Sequence, residues 1–161
     1  MADFSLQPIG PEHRELVRRV WNERWGGLTM VVHGRVYQAD QLPGLLAFAG
    51  EELLGAATYQ LEGGECEVMS LDSFREGAGV GTALLRAVVD LARAQGCRRL
   101  FLITTNDNIN ALRFYQKRGL RLAALRPDAV TRARALKPGI PLLGDHGIPI
   151  RDELELELAL G

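Results

Sequence analysis

The sequence predicts an α/β fold: one domain over residues 1–161, with a mixed, mostly antiparallel central sheet flanked by helices. Three observations predict it. Three strand-like segments, Leu45–Ala49, Leu53–Leu61 and Cys66–Leu71, follow one another across turn signals at Gly50-Glu51 and Gly63-Gly64. A strong helix then begins, with Val80, Ala83, Leu84, Ala87, Val88 and Leu91 on one stripe and Arg86, Asp90 and Arg93 opposite. Beyond it lies the continuous apolar run Leu100-Phe101-Leu102-Ile103, the mark of a strand covered on both faces. At 161 residues the chain suits a single domain and can bury a core without disulfides or metal.

The other elements follow in order. Residues 11–25 read as a helix, with Pro11 in the first turn, a stripe of Leu16, Val17, Val20 and Trp21, and a stop at Gly26-Gly27. Residues 30–37 read as a strand or an ordered loop. In the third strand, Glu65, Glu67, Met69 and Leu71 share one face by period-two alternation, and Cys66 points the other way. Gly96 stops the long helix, and Asn106-Asp107-Asn108 suits a strand end and helix cap. A helix from about Ile109 to Arg118 closes at Gly119, and residues 120–125 form another strand. Asp128 is expected to cap a short helix reaching Leu136. Residues 138–149 read as an irregular loop with three prolines. The alternation Leu154-Glu155-Leu156-Glu157-Leu158 reads as a last strand with one wet face.

Composition narrows the function classes. Apolar residues make up 47% and charged residues 24%, an ordinary globular mixture that excludes wholesale disorder. A net charge of −1 excludes a protein built to coat nucleic acid. That total hides an asymmetry. Residues 98–137 carry ten basic groups against Asp107 and Asp128, a segment of +8 that leaves −9 for the rest, so a small anionic ligand stays open. Cys66 and Cys97 lack metal-type spacing, and no metal site is expected; a reduced, cytoplasmic setting is the expectation. No apolar run has membrane-helix length, and Met1-Ala2-Asp3-Phe4 shows no export signal.

The most informative stretch is Gly77-Ala78-Gly79-Val80-Gly81-Thr82, between a strand and a helix N-terminus. Glycines there let backbone N–H groups approach an anion, and the helix dipole favours a phosphate. A bare turn needing positive φ is the simpler reading, and the regular helix that follows favours the anion. A Walker A loop is absent. A dinucleotide fingerprint fails because Thr82 stands in the third glycine's place, the turn is too long after Leu71, and three antiparallel strands precede it.

Gly79-Val80-Gly81-Thr82-Ala83-Leu84-Leu85, after Met69-Ser70-Leu71, resembles motif A of the GNAT superfamily of N-acetyltransferases, with Glu76 where the motif has Gln or Arg. The run from Asn108 to Leu120 resembles motif B, Asn-x-x-Ala-x-x-x-Tyr-x-x-x-Gly-Phe, with Leu120 in place of Phe. The resemblance implies a single-domain GNAT-like fold whose sheet splays at the cofactor site. It implies acetyl-CoA as acetyl donor and direct transfer to the primary amine of a small molecule or protein. The backbone around Met69 and Leu71 would pair with the pantetheine arm. Gly77, Ala78, Gly79, Val80, Gly81 and Thr82 would hold the pyrophosphate, with Asn108 and Tyr115 also at the cofactor. Tyr115 matches the family's frequent general acid: a phenol of pKa about 10 stays protonated at neutral pH and can protonate a leaving thiolate. Glu67 or Glu65, directly or through a water, would accept the amine's proton. Trp21, Trp25 and His33 fall where such enzymes build the acceptor side, with the loop from Arg132 to Asp152 as a lid or a cover. That C-terminal segment resembles a bacterial GNAT subgroup of undefined substrate. The alternative reading is a CoA-binding sensor or regulatory module without turnover. No nucleic-acid or membrane partner is expected, and a homodimer is left open.

Overall fold

The computed structural model describes residues 3–161. The expectation about the first residues rests partly on Met1 and Ala2, which lie outside that range. The strands are β1 (Ser5–Pro8), β2 (Thr29–Val32), β3 (Arg35–Gln38), β4 (Gly44–Ala49), β5 (Glu52–Glu62), β6 (Glu65–Ser73), β7 (Arg99–Thr105), β8 (Arg121–Arg126) and β9 (Glu153–Ala159). The helices are α1 (Arg14–Trp25), α2 (Val80–Ala94), α3 (Ile109–Lys117) and α4 (Ala129–Ala133). Seven strands form one sheet in the order β1-β4-β5-β6-β7-β9-β8, and β2 pairs with β3. This is the mixed, mostly antiparallel α/β architecture that the element order predicts. β1 was not legible: it has four residues, mostly exposed, and is held by pairing with β4 rather than by an apolar pattern of its own.

The chain clusters into two compact units, described in turn. The first runs through Leu28 and includes Gln38–Leu100 and Leu160–Gly161. Here β4, β5 and β6 are antiparallel neighbours. The β5–β6 register contains a bulge: Tyr59 pairs with Val68 and Thr58 with Ser70, so Met69 has no partner on β5. A bulge inserts one residue and flips the alternation beyond it. The expected face of Glu65, Glu67, Met69 and Leu71 is therefore wrong past residue 67. Cross-strand pairing puts Ser70 and Asp72 on the face of Glu65 and Glu67, while Leu71 pairs with Ala57 on the side of Cys66 and Val68.

The Cys66 side is covered by α2. Its Val80, Leu84, Leu85, Val88 and Ala92 are buried, as the helical stripe predicts. Cys66 is fully buried, and burial first, with Cys97 and Glu67 adding to it, pushes its thiol up to about 12. That state has negligible thiolate at neutral pH, so Cys66 is inert as a nucleophile. α2 lies so close to β5 that a Cβ at Gly55 would sit 2.6 Å from both the Asp72 carbonyl oxygen and Val80 Cγ1. Gly55→Ala is expected to cost about 1–3 kcal/mol by overpacking. It should also weaken CoA binding by shifting the first turn of α2. A thermal melt and a CoA titration check both effects; unchanged values in both would show that the contact relaxes freely.

The second unit comprises Thr29–Tyr37 and Phe101–Ala159. Residues 30–37, open between strand and loop on sequence, are a hairpin whose turn holds His33 at φ 57 and Gly34 at φ 71. Both central residues with positive φ give the turn that matches strand twist. The hairpin is held by Lys137 Nζ donating to the Thr29 carbonyl at 2.7 Å, and His33 stacks edge-on to Phe101 at 6.1 Å. Asp128 does not cap α4 as expected: it sits in the left-handed region with no side-chain cap bond, and its own N–H donates to Asp152 Oδ1.

The irregular loop before β9 is pinned rather than loose. Asn106 Oδ1 accepts from the N–H groups of Arg151 and Asp152, and its Nδ2 donates to the Pro149 carbonyl. Asp107 accepts from Thr105 Oγ1 and from the Asp145 N–H. The wet face expected of β9 is overturned. Glu153 and Glu155 are both 6% exposed, so that face of β9 is covered by other segments. Glu155 is compensated by Arg126 at 2.6 Å. Glu153, its carboxyl raised by burial, is offset by the charges of His33, Arg126 and Arg132. No helix of the described residues is long and apolar enough to cross a membrane.

Candidate active site

In the first unit the glycine loop adopts the geometry an anion needs. Gly77 and Gly79 lie at φ 74 and 76, with open space where a Cβ would stand, so conformation rather than room requires glycine there. Gly79 is the N-cap of α2 and supplies no side-chain cap. The first intrahelical bond is Ala83 N–H to the Gly79 carbonyl at 3.0 Å. The amides of Val80 and Gly81 therefore belong to the orphan set of a helix N-terminus. They fit a pyrophosphate. The side chains beside them contribute less: Arg75 is paired with Glu52 at 2.5 Å, and Glu76 is exposed.

The two candidate bases separate by environment. Glu65 is gripped by Arg98 at 3.0 Å and Arg99 at 3.1 Å. The Arg99 hydrogen bond is the main cause that holds its carboxyl below the usual range. A carboxylate so stabilised is a poor proton acceptor. Glu67 is 8% exposed and faces the same side, paired with Gln60 on β5. The structure adds a third carboxylate, Asp72, whose pKa burial raises to about 6 against the lowering effects of Arg24 and the Trp25 indole. Sequence reasoning missed it because strict alternation from Glu67 puts residue 72 on the other face; nothing local announces the bulge.

The acceptor candidates also divide. Trp21 is 2% exposed and packs in the core with Val17, which corrects its reading as a substrate contact. Trp25 is 54% exposed and donates to Asp72.

In the second unit, Tyr115 sits on α3 at 9% exposure, its ring edge-on to Phe114 at 5.1 Å. Asn108 caps α3: its Oδ1 accepts from the Ala111 N–H at 3.2 Å. That engages the oxygen in folding the first turn of α3. His33 forms the hairpin turn and faces Phe101 and Glu153. The basic segment is largely structural. Arg134 donates to the carbonyls of Ile140, Pro141 and Ile150, Arg132 to that of Pro127, and Arg118 to that of Phe114.

Comparison with known proteins agrees with these features. The family described as Acetyltransferase (GNAT) matches residues 10–120. The Bacillus subtilis (strain 168) protein YxbD is 46% identical over 95% of this chain and 97% of its own. YdhI of the same organism is 47% identical over 82% of this chain and 83% of its own. In fold, the chain resembles a GNAT family acetyltransferase from Elizabethkingia anophelis with acetyl-CoA bound. The TM-score is 0.69 at 18% identity, covering 99% of this chain and 100% of that one. The two motifs, the sheet order and the family match lead to one conclusion: this chain belongs to the GNAT family of acetyltransferases.

Proposed function

We propose that the chain transfers an acetyl group from acetyl-CoA to a primary amine by direct attack. The observation that carries this reading is the open N-terminus of α2, with Gly77 and Gly79 in the left-handed region, next in sequence to a strand bulged at Met69. Acetyl-CoA supplies an activated acetyl thioester. The amides of residues 77–82 hold its pyrophosphate. The bulge removes Met69 from pairing with β5, which suits the backbone of Met69 to Leu71 to hold the pantetheine arm and one amide to donate to the thioester carbonyl oxygen. Glu67 accepts the amine's proton directly or through a water, in preference to the arginine-bound Glu65. Tyr115 donates its phenol proton toward the departing sulfur.

A thermal melt with acetyl-CoA, CoA and NAD tests the first half. A ligand that binds only the folded chain at a hundred times its Kd adds about 2.7 kcal/mol of stability. Both CoA species are expected to raise Tm and NAD to leave it unchanged; no response to either CoA species would sink the reading. Release of free thiol over an amine panel then separates an enzyme from a CoA-binding regulator.

A further inference from the structure

The face of β5 and β6 that carries Glu67 holds three cross-strand pairs in a row: Gln60 with Glu67, Thr58 with Ser70, and Ala56 with Asp72. The middle pair satisfies itself, its two hydroxyl oxygens 2.5 Å apart. The outer two leave acceptors over: Gln60 Oε1 and Asp72 Oδ2 are buried with no hydrogen-bond partner among the described residues. Buried acceptors without donors are costly, and those that persist call for an explanation. Asp72 has the surroundings of a cation site. Trp25 donates to its carboxylate and leaves the indole ring 54% exposed beside it. A carboxylate beside an aromatic face attracts an ammonium or guanidinium. Arg24, whose charge acts on the Asp72 carboxyl, lies over the Phe74 ring, 3.9 Å from its centroid, and does not bond Oδ2.

We infer that Asp72 anchors the acceptor: the amine acetylated by this chain carries a second cationic group, which docks on the Asp72 carboxylate against Trp25 while the reacting nitrogen lies at Glu67. The acceptor class is thus a diamine or polyamine. The Gln60–Glu67 and Ala56–Asp72 pairs stand four β5 residues apart, roughly 13 Å at about 3.3 Å per residue, which sets the span between the two nitrogens. Oδ2 is sealed from solvent, so the acceptor engages it through a local shift of the carboxyl while the Trp25 ring stays beside it.

A structural role for Asp72 would make Asp72→Asn destabilising at alkaline pH, and the burial of its charge predicts the reverse. Its pKa rises from 3.8 unfolded to about 6 in the fold, chiefly by burial. The folded chain therefore holds the proton more tightly, and the carboxyl favours folding below its unfolded pKa and loses that contribution as pH rises through about 6. At alkaline pH, Asp72→Asn should match or exceed the parent in Tm.

The inference rests on the acetyl-transfer reading, and its test separates the two. Octane-1,8-diamine and octan-1-amine are titrated calorimetrically into the CoA-loaded full chain, which needs no turnover. The diamine is expected to bind at least tenfold more tightly than the monoamine. In Asp72→Asn that advantage should shrink to within twofold while the CoA-induced rise in Tm is kept. Trp25→Ala should weaken the diamine more than the monoamine. Equal binding of the two amines, no binding of the diamine, or an advantage that survives in Asp72→Asn would each overturn the anchor. If the parent chain shows no CoA response at all, the acetyl-transfer reading fails first.

Discussion

Tyr115→Phe is expected to lower kcat by about 100-fold or more, the usual contribution of a positioned general acid. The KM for acetyl-CoA should change little. The ring is almost fully buried on α3 and packs edge-on against Phe114, so Phe keeps the volume and the aromatic contact and removes only the hydroxyl. Stability is therefore expected to stay near that of the parent. Steady-state kinetics and a melting curve on the same preparation give the three numbers needed. A full kcat with unchanged KM would make Tyr115 a packing aromatic. A joint fall of kcat and Tm would point to misfolding of α3 instead.

Leu84→Ala should have the largest effect on stability. Leu84 is fully buried on α2, and its Cδ1 lies 3.2 Å from where a Cβ on Gly55 would stand. Removing it leaves a cavity between helix and sheet, at a cost of about 2–5 kcal/mol. For a chain of this size each kcal/mol corresponds to roughly 2–4 °C, so Tm should fall by roughly 4–20 °C. The same helix presents the first-turn amides, so CoA should recover part of the loss by binding the folded state. A Tm within a degree or so of the parent would mean that α2 settles into the cavity. The Gly55→Ala variant probes the same contact from the crowded side, and the two together bracket how tightly α2 must sit.

Much of the cofactor side was legible because it is set by short-range physics. Gly77 and Gly79 stand where the backbone turns left-handed, the stripe from Val80 to Leu91 commits the next residues to a helix, and Asn108 caps α3 within three residues of itself. Each depends on neighbours a few positions away, so alternation and spacing reveal it. The acceptor side was less legible. Trp21 and Trp25 lie on the same helix, yet one is core and the other is exposed beside a carboxylate. Glu65 and Glu67 look equivalent until Arg98 and Arg99 take one of them. Burial and pairing are properties of what other segments bring.

The sequence by itself determined the family, the glycine loop and the motif helices, because local conformational preference and helical periodicity act within a few residues. Only the tertiary structure decided which carboxylates share a face. Packing by other segments enclosed Glu155 in what reads as a wet strand. The bulge at Met69, visible only as a register between β5 and β6, turned Asp72 to the side of Glu67. A one-residue slip reverses every later side chain, and that slip is specified by the partner strand rather than by the residues it moves.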